Sequence, residues 1–376
     1  MATGGVLSST EVSLIAAVPI TGVFLGLPLA AGLGDYTGRR NALFIACIIS
    51  AVASAIQTAA SNLATLVVGR VIAAAAIYMF IVLASTYMAE LAPAEIRGIL
   101  VGLTIVLIDA ASILAAGLNW AFSKTMTNLA WRIPVGIQII FPLIIAAGIF
   151  TLDAAPTEYL VKSQDEAALR SLRRIRKGYT DVEIDAEFDS LRAQSSLRSE
   201  ETAAPILDMF KGTNLRRSFL ACSIGVFQQL SGITFATTYA TVFLSQASAG
   251  INPYLLTLGL SILATGGAIV GLFLVDSVGR RTLALSVFCV IFVIDLVIGV
   301  LGFFNDSPAS AKAIAAFSLM FAFFFAAGFG PLTYVAASEL PTARLKNRTS
   351  AFAFGCIAIM NVVVTFVIPY ISQPDG

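Results

Sequence analysis

The chain has no histidine at all. That removes imidazole from any acid–base or metal-binding role. Charge is scarce too: 12% of the 376 residues are Asp, Glu, Lys or Arg, about half the share in a soluble domain. The 23 basic and 22 acidic residues leave a net charge of +1, which gives no sign of a nucleic-acid partner, and none is expected. Cysteines number four, and Cys47, Cys222, Cys289 and Cys356 stand singly inside apolar segments. They read as small buried hydrophobes, with neither a disulfide framework nor metal-ligand spacing. No metal or other cofactor is expected. Met1–Glu11 lacks the basic stretch that opens a cleaved signal peptide.

What is abundant is apolar surface. Hydrophobic residues make up 58% of the chain, and they come in runs of about 20, the length that crosses a bilayer's hydrocarbon core. The reading is an all-α, polytopic membrane protein. Ten spans are expected, at about 12–33, 42–60, 64–88, 99–121, 132–152, 218–245, 253–275, 282–304, 312–337 and 350–371. They divide the chain into a five-span bundle at 1–152, a polar linker at 153–217 and a second five-span bundle at 218–376.

Basic residues orient the spans. Arg39 and Arg40, Arg97, the linker with 11 of the 23 Lys and Arg residues, Arg280 and Arg281, and the Arg344/Lys346/Arg348 loop all fall on one side. That side is expected to be cytoplasmic. Within the linker, Leu169, Leu172 and Ile175, and then Ile184, Phe188 and Leu191, recur at helical spacing. Two short amphipathic helices are expected beneath the membrane, their basic faces touching anionic lipid or simply solvated.

The two halves echo each other. Asp35-x-x-Gly38-Arg39-Arg40 returns 241 residues later as Asp276-x-x-Gly279-Arg280-Arg281. Two spans beyond each, a Glu-Leu, a Pro and an Arg recur: Glu90, Pro93 and Arg97, then Glu339, Pro341 and Arg344. Duplicated halves joined by a polar linker are a feature of transporters built from parallel repeats. A carboxylate at one helix end can pair bidentately with an arginine from a neighbouring turn. Such pairs would hold one side shut and part when it opens. A lone Gly-Arg-Arg would serve only to anchor topology; the repeated association with Glu-Leu and Arg favours a gate.

With these residues the chain resembles the sugar porter family of the major facilitator superfamily. The resemblance adds Gly69-Arg70, Gln228-Gln229-Leu-Ser231-Gly232, and Gly330-Pro331-x-x-Tyr334. Its fungal hexose and α-glucoside branch looks nearest, from the stretch Glu339–Ala351. The family has twelve spans, and the ten here match its second to eleventh, so the first and last are expected to be missing from this sequence. The resemblance implies a two-bundle transporter in which Gln228, Gln229, Thr234, Tyr239, Tyr334, Asn361 and Ser112 contact a sugar. Amides both donate and accept, which suits a ring of hydroxyls, and aromatic faces suit its C–H surface. It implies proton symport using Arg70, whose usual acid would lie in the missing first span; Asp109 is the candidate substitute. Where the family carries a Pro-Glu-Ser-Pro-Arg stretch, Asp153–Lys162 keeps little more than Pro156 and Leu160. That departure implies a looser hold of the linker on the first bundle. The expected protein is a monomer in the plasma membrane, with a sugar, protons and lipid as partners and no enzymatic role. A sugar sensor of the same fold, or a truncated and inactive transporter, are the alternatives.

Overall fold

A computed structural model describes residues 8–92, 97–125, 127–150, 155–161, 164–176, 178–203, 206–234, 252–303, 308–340 and 346–372, and these form helices and short turns. The first crossing is α1 (Ser9–Ala17), a 3-10 turn (Val18–Gly22) and α2 (Val23–Thr37). Then come α3 (Arg39–Ala59), α4 (Leu63–Leu91) and α5 (Arg97–Phe122). One broken crossing follows, α6 (Leu129–Ile137) and α7 (Ile140–Ile149). The polar centre holds α8 (Pro156–Val161), α9 (Asp165–Ile175) and α10 (Asp181–Ala203). After a 3-10 turn (Ile206–Phe210), α11 (Gly212–Gln228) runs into a π turn (Gln229–Ile233). Four long helices complete the described chain: α12 (Pro253–Val278), α13 (Arg280–Gly302), α14 (Pro308–Glu339) and α15 (Lys346–Ser372).

Helix starts carry the expected chemistry. Ser8 and Glu11 form a reciprocal capping box on α1. Asn62 accepts from the Thr65 N–H at 2.8 Å, and Asn252 from that of Tyr254 at 3.0 Å with Pro253 at the first helical position. Among the described residues, eight stretches are long and apolar enough to cross a membrane. They match eight of the ten expected spans. The fourth, α5, is helical throughout, but its described apolar part is the shorter Val106–Phe122. The sixth leaves the described residues after Thr234.

Glycines set the packing within each half. A Cβ at Gly22 or Gly26 would strike the backbone carbonyl of Val71 or Ala75 on α4. One at Gly267 or Gly271 would strike that of Phe323 or Ala327 on α14. Both pairs are Gly-x-x-x-Gly, 245 residues apart. Only a bare Cα lets two membrane helices approach this closely, with dispersion and Cα–H···O contacts in return. Ala327 is also the carbonyl that Pro331 cannot bond, four residues on.

The halves meet through a two-fold arrangement. The first crossing packs on α15, the last described helix, and α12 packs on α5. By the repeat, the first crossing corresponds to α12 and α5 to α15, so the two contacts are symmetry mates. Small residues line the first: Ser13 is fully buried and its hydroxyl donates to the Phe366 carbonyl at 3.2 Å, while Ala17 is buried beside it.

The linker is docked rather than loose. In α8, Pro156, Glu158 and Leu160 are buried, and α8 packs on α4, α9 and α10. Arg176, at the end of α9, is buried; it grips the Glu187 carboxylate of α10 with bonds of 2.9 and 2.7 Å and donates to the Leu91 carbonyl at 2.8 Å. Leu91 is the last residue of α4, where unpaired carbonyls favour a cation. The linker reaches the second half as well, through an edge-on contact of Phe210 with Phe352 and a bond from the Ser218 hydroxyl to the Met209 carbonyl.

Candidate functional site

A π turn, Gln229–Ile233, follows directly on α11. Gly232 sits at φ 87°, ψ 4°, a left-handed conformation that costs most residues a penalty and glycine almost none. The wider turn of a π segment loosens the helix ladder here. Gln228 and Gln229 flank its start, both half-buried. The Gln228 amide donates to the Phe329 carbonyl of α14 at 3.4 Å, and the Ser231 hydroxyl donates to the Gln228 carbonyl at 2.7 Å. Thr234, at the end of the turn, is buried. The turn packs against α15. There Asn361 is half-buried, and its side-chain oxygen accepts from the Thr365 hydroxyl at 3.0 Å. Two glutamines and a threonine thus lie at a π turn that packs on the helix bearing Asn361. An amide inside a membrane is costly unless it has a polar partner or faces a cavity.

On the other side, Ser112 and Asp109 lie one turn apart on α5. Ser112 is exposed and donates to the Ile108 carbonyl at 3.2 Å, and Asp109 is half-buried. Tyr239 and Arg344 fall outside the described residues, and for Tyr334 only the helical backbone is described.

Arg70 has a partner that sequence reasoning missed. Its guanidinium donates to the Ile15 carbonyl at 3.0 Å. Ile15 lies four residues before Pro19, and a proline in a helix leaves that carbonyl without its N–H donor. Arg70 fills the gap. Among the described residues no ion pair joins Arg70 to Asp109. The arginine thus meets a backbone carbonyl, a partner the sequence reading did not suggest.

On the basic side, the two repeated turns have the same backbone. Gly38 has φ 86°, ψ 157° and Gly279 φ 86°, ψ 148°, each directly preceding a helix. Their surroundings differ. A Cβ at Gly38 would collide with the Glu158 carboxylate of α8. That carboxylate sits at the N-terminus of α3, where the helix dipole favours negative charge. Arg39 is buried and donates to the Gly34 carbonyl at 3.4 Å. Arg40 donates to the carbonyls of Ile149 and Phe150, at 3.1 and 3.2 Å, closing the C-terminus of α7. In the second half nothing among the described residues lies within 4 Å of a Cβ at Gly279, and Arg281 is exposed. The side chains of Asp35, Glu90, Arg97, Asp276, Arg280 and Glu339 lie outside the described set. What is visible is that Arg39 and Arg40 neutralise helix ends within their own half.

A family model described as Sugar (and other) transporter matches residues 2–374. The chain belongs to that family. Among its relatives, the probable glucose transporter rco-3 of Neurospora crassa is 30% identical over 376 residues, covering 96% of this chain and 62% of its own length. The high glucose sensor RGT2 of Saccharomyces cerevisiae is 25% identical over 97% of this chain and 49% of its own. This member of the family thus spans less than two thirds of either relative. The fold is the major facilitator one: the proton:xylose symporter XylE bound to 6-bromo-6-deoxy-D-glucose superposes with a TM-score of 0.78 at 20% identity, covering 97% of this chain and 80% of that one.

Proposed function

We propose that this chain carries a sugar across a membrane by alternating access, with residues 1–152 and 218–376 rocking about a site between them and 153–217 bracing the cytoplasmic side. The observation that carries the reading is the π turn at Gln229–Ile233, with two half-buried glutamines at its start, packed against the helix that bears Asn361. In this proposed site Gln228, Gln229 and Asn361 supply amides to hydroxyls, and Thr234, Tyr239, Tyr334 and Ser112 also contact the sugar. Family membership supports a sugar as cargo, and the relatives' names point to a hexose or xylose. The work needs no bond to be made or broken, so the protein is not an enzyme.

Proton symport is the favoured energy source. Arg70 lies against the 3-10 break in the first crossing, and Asp109 is the half-buried carboxyl on the facing span. In the gate we propose, Asp35, Glu90, Arg97 and Arg39 with Arg40 act in the first half, and Asp276, Arg280, Arg281, Glu339 and Arg344 in the second. A monomer in the plasma membrane fits this reading.

The test is uptake of radiolabelled glucose, xylose and maltose by proteoliposomes holding the chain, with and without an inward proton gradient. Saturable uptake of one sugar is expected, lost on Gln229→Ala. Unchanged uptake in that variant overturns the site. A second reading, a sensor, is favoured by the relative named as a glucose sensor; sugar binding without any uptake would establish it.

A further inference from the structure

Four cysteines scattered in sequence become, in space, one pair and two single thiols. Cys222 lies on α11 and Cys356 on α15, 134 residues apart in sequence. The two helices pack together, and Cys222 and Cys356 share one small cluster with Ala221, Ala353 and Leu340. Their thiols are close enough to interact. Ala221 and Ala353 are almost wholly buried there, and such small residues let membrane helices approach closely. Each cysteine is ten residues from the first residue of its helix, Gly212 or Lys346, so both lie at one depth, roughly 15 Å along. Cys47 is buried on α3 and Cys289 exposed on α13, each away from this pair.

The donor set limits what can bind. Zinc takes four ligands, and among the described residues no three His, Cys, Asp or Glu side chains come together. Two sulfurs alone suit a soft centre content with two bonds to thiolate. The surroundings add a second condition, because charge inside the membrane is costly. The favoured product is therefore uncharged, with two thiol protons lost to a centre that contributes two valences.

We propose that Cys222 and Cys356 form a two-thiol site for a soft thiophilic centre, Hg(II) or an aryl-arsenic(III) group, and that filling it ties α11 to α15. With phenylarsine oxide the step balances without oxidation. Two S–H bonds break, two As–S bonds form, and the oxygen leaves as water with both protons. The tie lies seven residues from Gln229 and five from Asn361, on the two helices that bear the amides of the proposed sugar site. It should hold those helices together and stop transport. Only this last consequence rests on the transport reading.

The probe is phenylarsine oxide, added to the 376-residue chain in lipid nanodiscs. Intact mass should show one arsenic per chain that survives washing with the monothiol 2-mercaptoethanol and leaves with the dithiol 2,3-dimercaptopropanol. A single thiol gives no such difference, so Cys222→Ser and Cys356→Ser should each lose arsenic to the monothiol. Cys47→Ser and Cys289→Ser should behave like the parent. Cys222→Ala and Cys356→Ala, checked by size exclusion, replace any serine variant that fails to fold. Retention through the monothiol wash in either single variant overturns the site. In proteoliposomes, uptake should fall to background in the parent and persist in both variants. Retained arsenic with undiminished uptake overturns the tie. A parent that never takes up sugar refutes the transport reading, and the mass measurement still decides the site.

Discussion

Gly34–Asn41 and Val275–Thr282 are near copies in sequence and in backbone, yet among the described residues one is packed and the other is not. Gly38 touches the Glu158 carboxylate, Arg39 is buried and Arg40 closes α7. Among the described residues nothing comes near a Cβ at Gly279, and Arg281 is exposed. A duplicated motif preserves what the local chain needs: a glycine at positive φ to turn directly into the next helix. It does not preserve the partners, which come from other parts of the molecule. In the first half the partners are α8 of the linker and the carbonyl end of α7.

The comparison can be tested from its strongest shared feature down. Gly26→Val and Gly271→Val push a side chain into a backbone carbonyl that cannot yield. Each is expected to cost about 3 kcal/mol, the upper end for overpacking, and by similar amounts in thermal unfolding in detergent. A large inequality would show that the two glycine seams are not equivalent. Gly38→Ala should destabilise more than Gly279→Ala. Both pay the positive-φ strain of about 1–2 kcal/mol, but only Gly38 also displaces the Glu158 carboxylate. Adding Glu158→Ala should recover part of the Gly38→Ala loss and leave Gly279→Ala unchanged. Equal melting temperatures for the two alanine variants would argue against the α8 contact.

Arg40→Ala removes two bonds to the end of α7, worth about 1–2 kcal/mol, whereas Arg281→Ala should stay within about 0.5 kcal/mol. The smallest effect lies in the linker. Hydrogen bonds from the Thr180 N–H and hydroxyl, both at 2.8 Å, hold the exposed Glu183 carboxyl below its ordinary value of 4.5. A lowered folded-state value means the carboxylate stabilises the start of α10 above about pH 4.5, and that support goes as pH falls through the lower value. The increase in fraying of α10 below that point, read by hydrogen exchange, should be absent in Glu183→Gln, which is already frayed at neutral pH.

Much of the fold was legible beforehand, for reasons particular segments make clear. Apolar runs such as Leu63–Met88 and Arg281–Gly302 meet the length a bilayer demands. Leu172 and Ile184 mark buried faces in the linker helices, and both are buried. The expected weak hold of the linker was a misjudgement, because Glu158 and Arg176 make contacts that a missing motif could not reveal. Part of the glutamine cluster was legible too, since adjacent amides in an apolar span need a reason to be there. The π turn beside them was not, because a helix fault depends on Gly232 and its packing together. Two overlooked signals were in plain view: paired glycines four apart inside spans, and Pro19 four residues after the carbonyl that Arg70 fills.

By itself, the sequence determined the membrane habit, the two-part repeat and the family. These follow from composition, from periodicity and from ordered motifs, all properties of neighbouring residues. Only the tertiary structure decided which duplicate turn is covered, which carbonyl Arg70 meets, and which two of four cysteines come together. Those depend on contacts between residues that are distant in sequence. Close helix approach at a few glycines and alanines brings them about, and a pattern within one helix cannot state which neighbour it will meet.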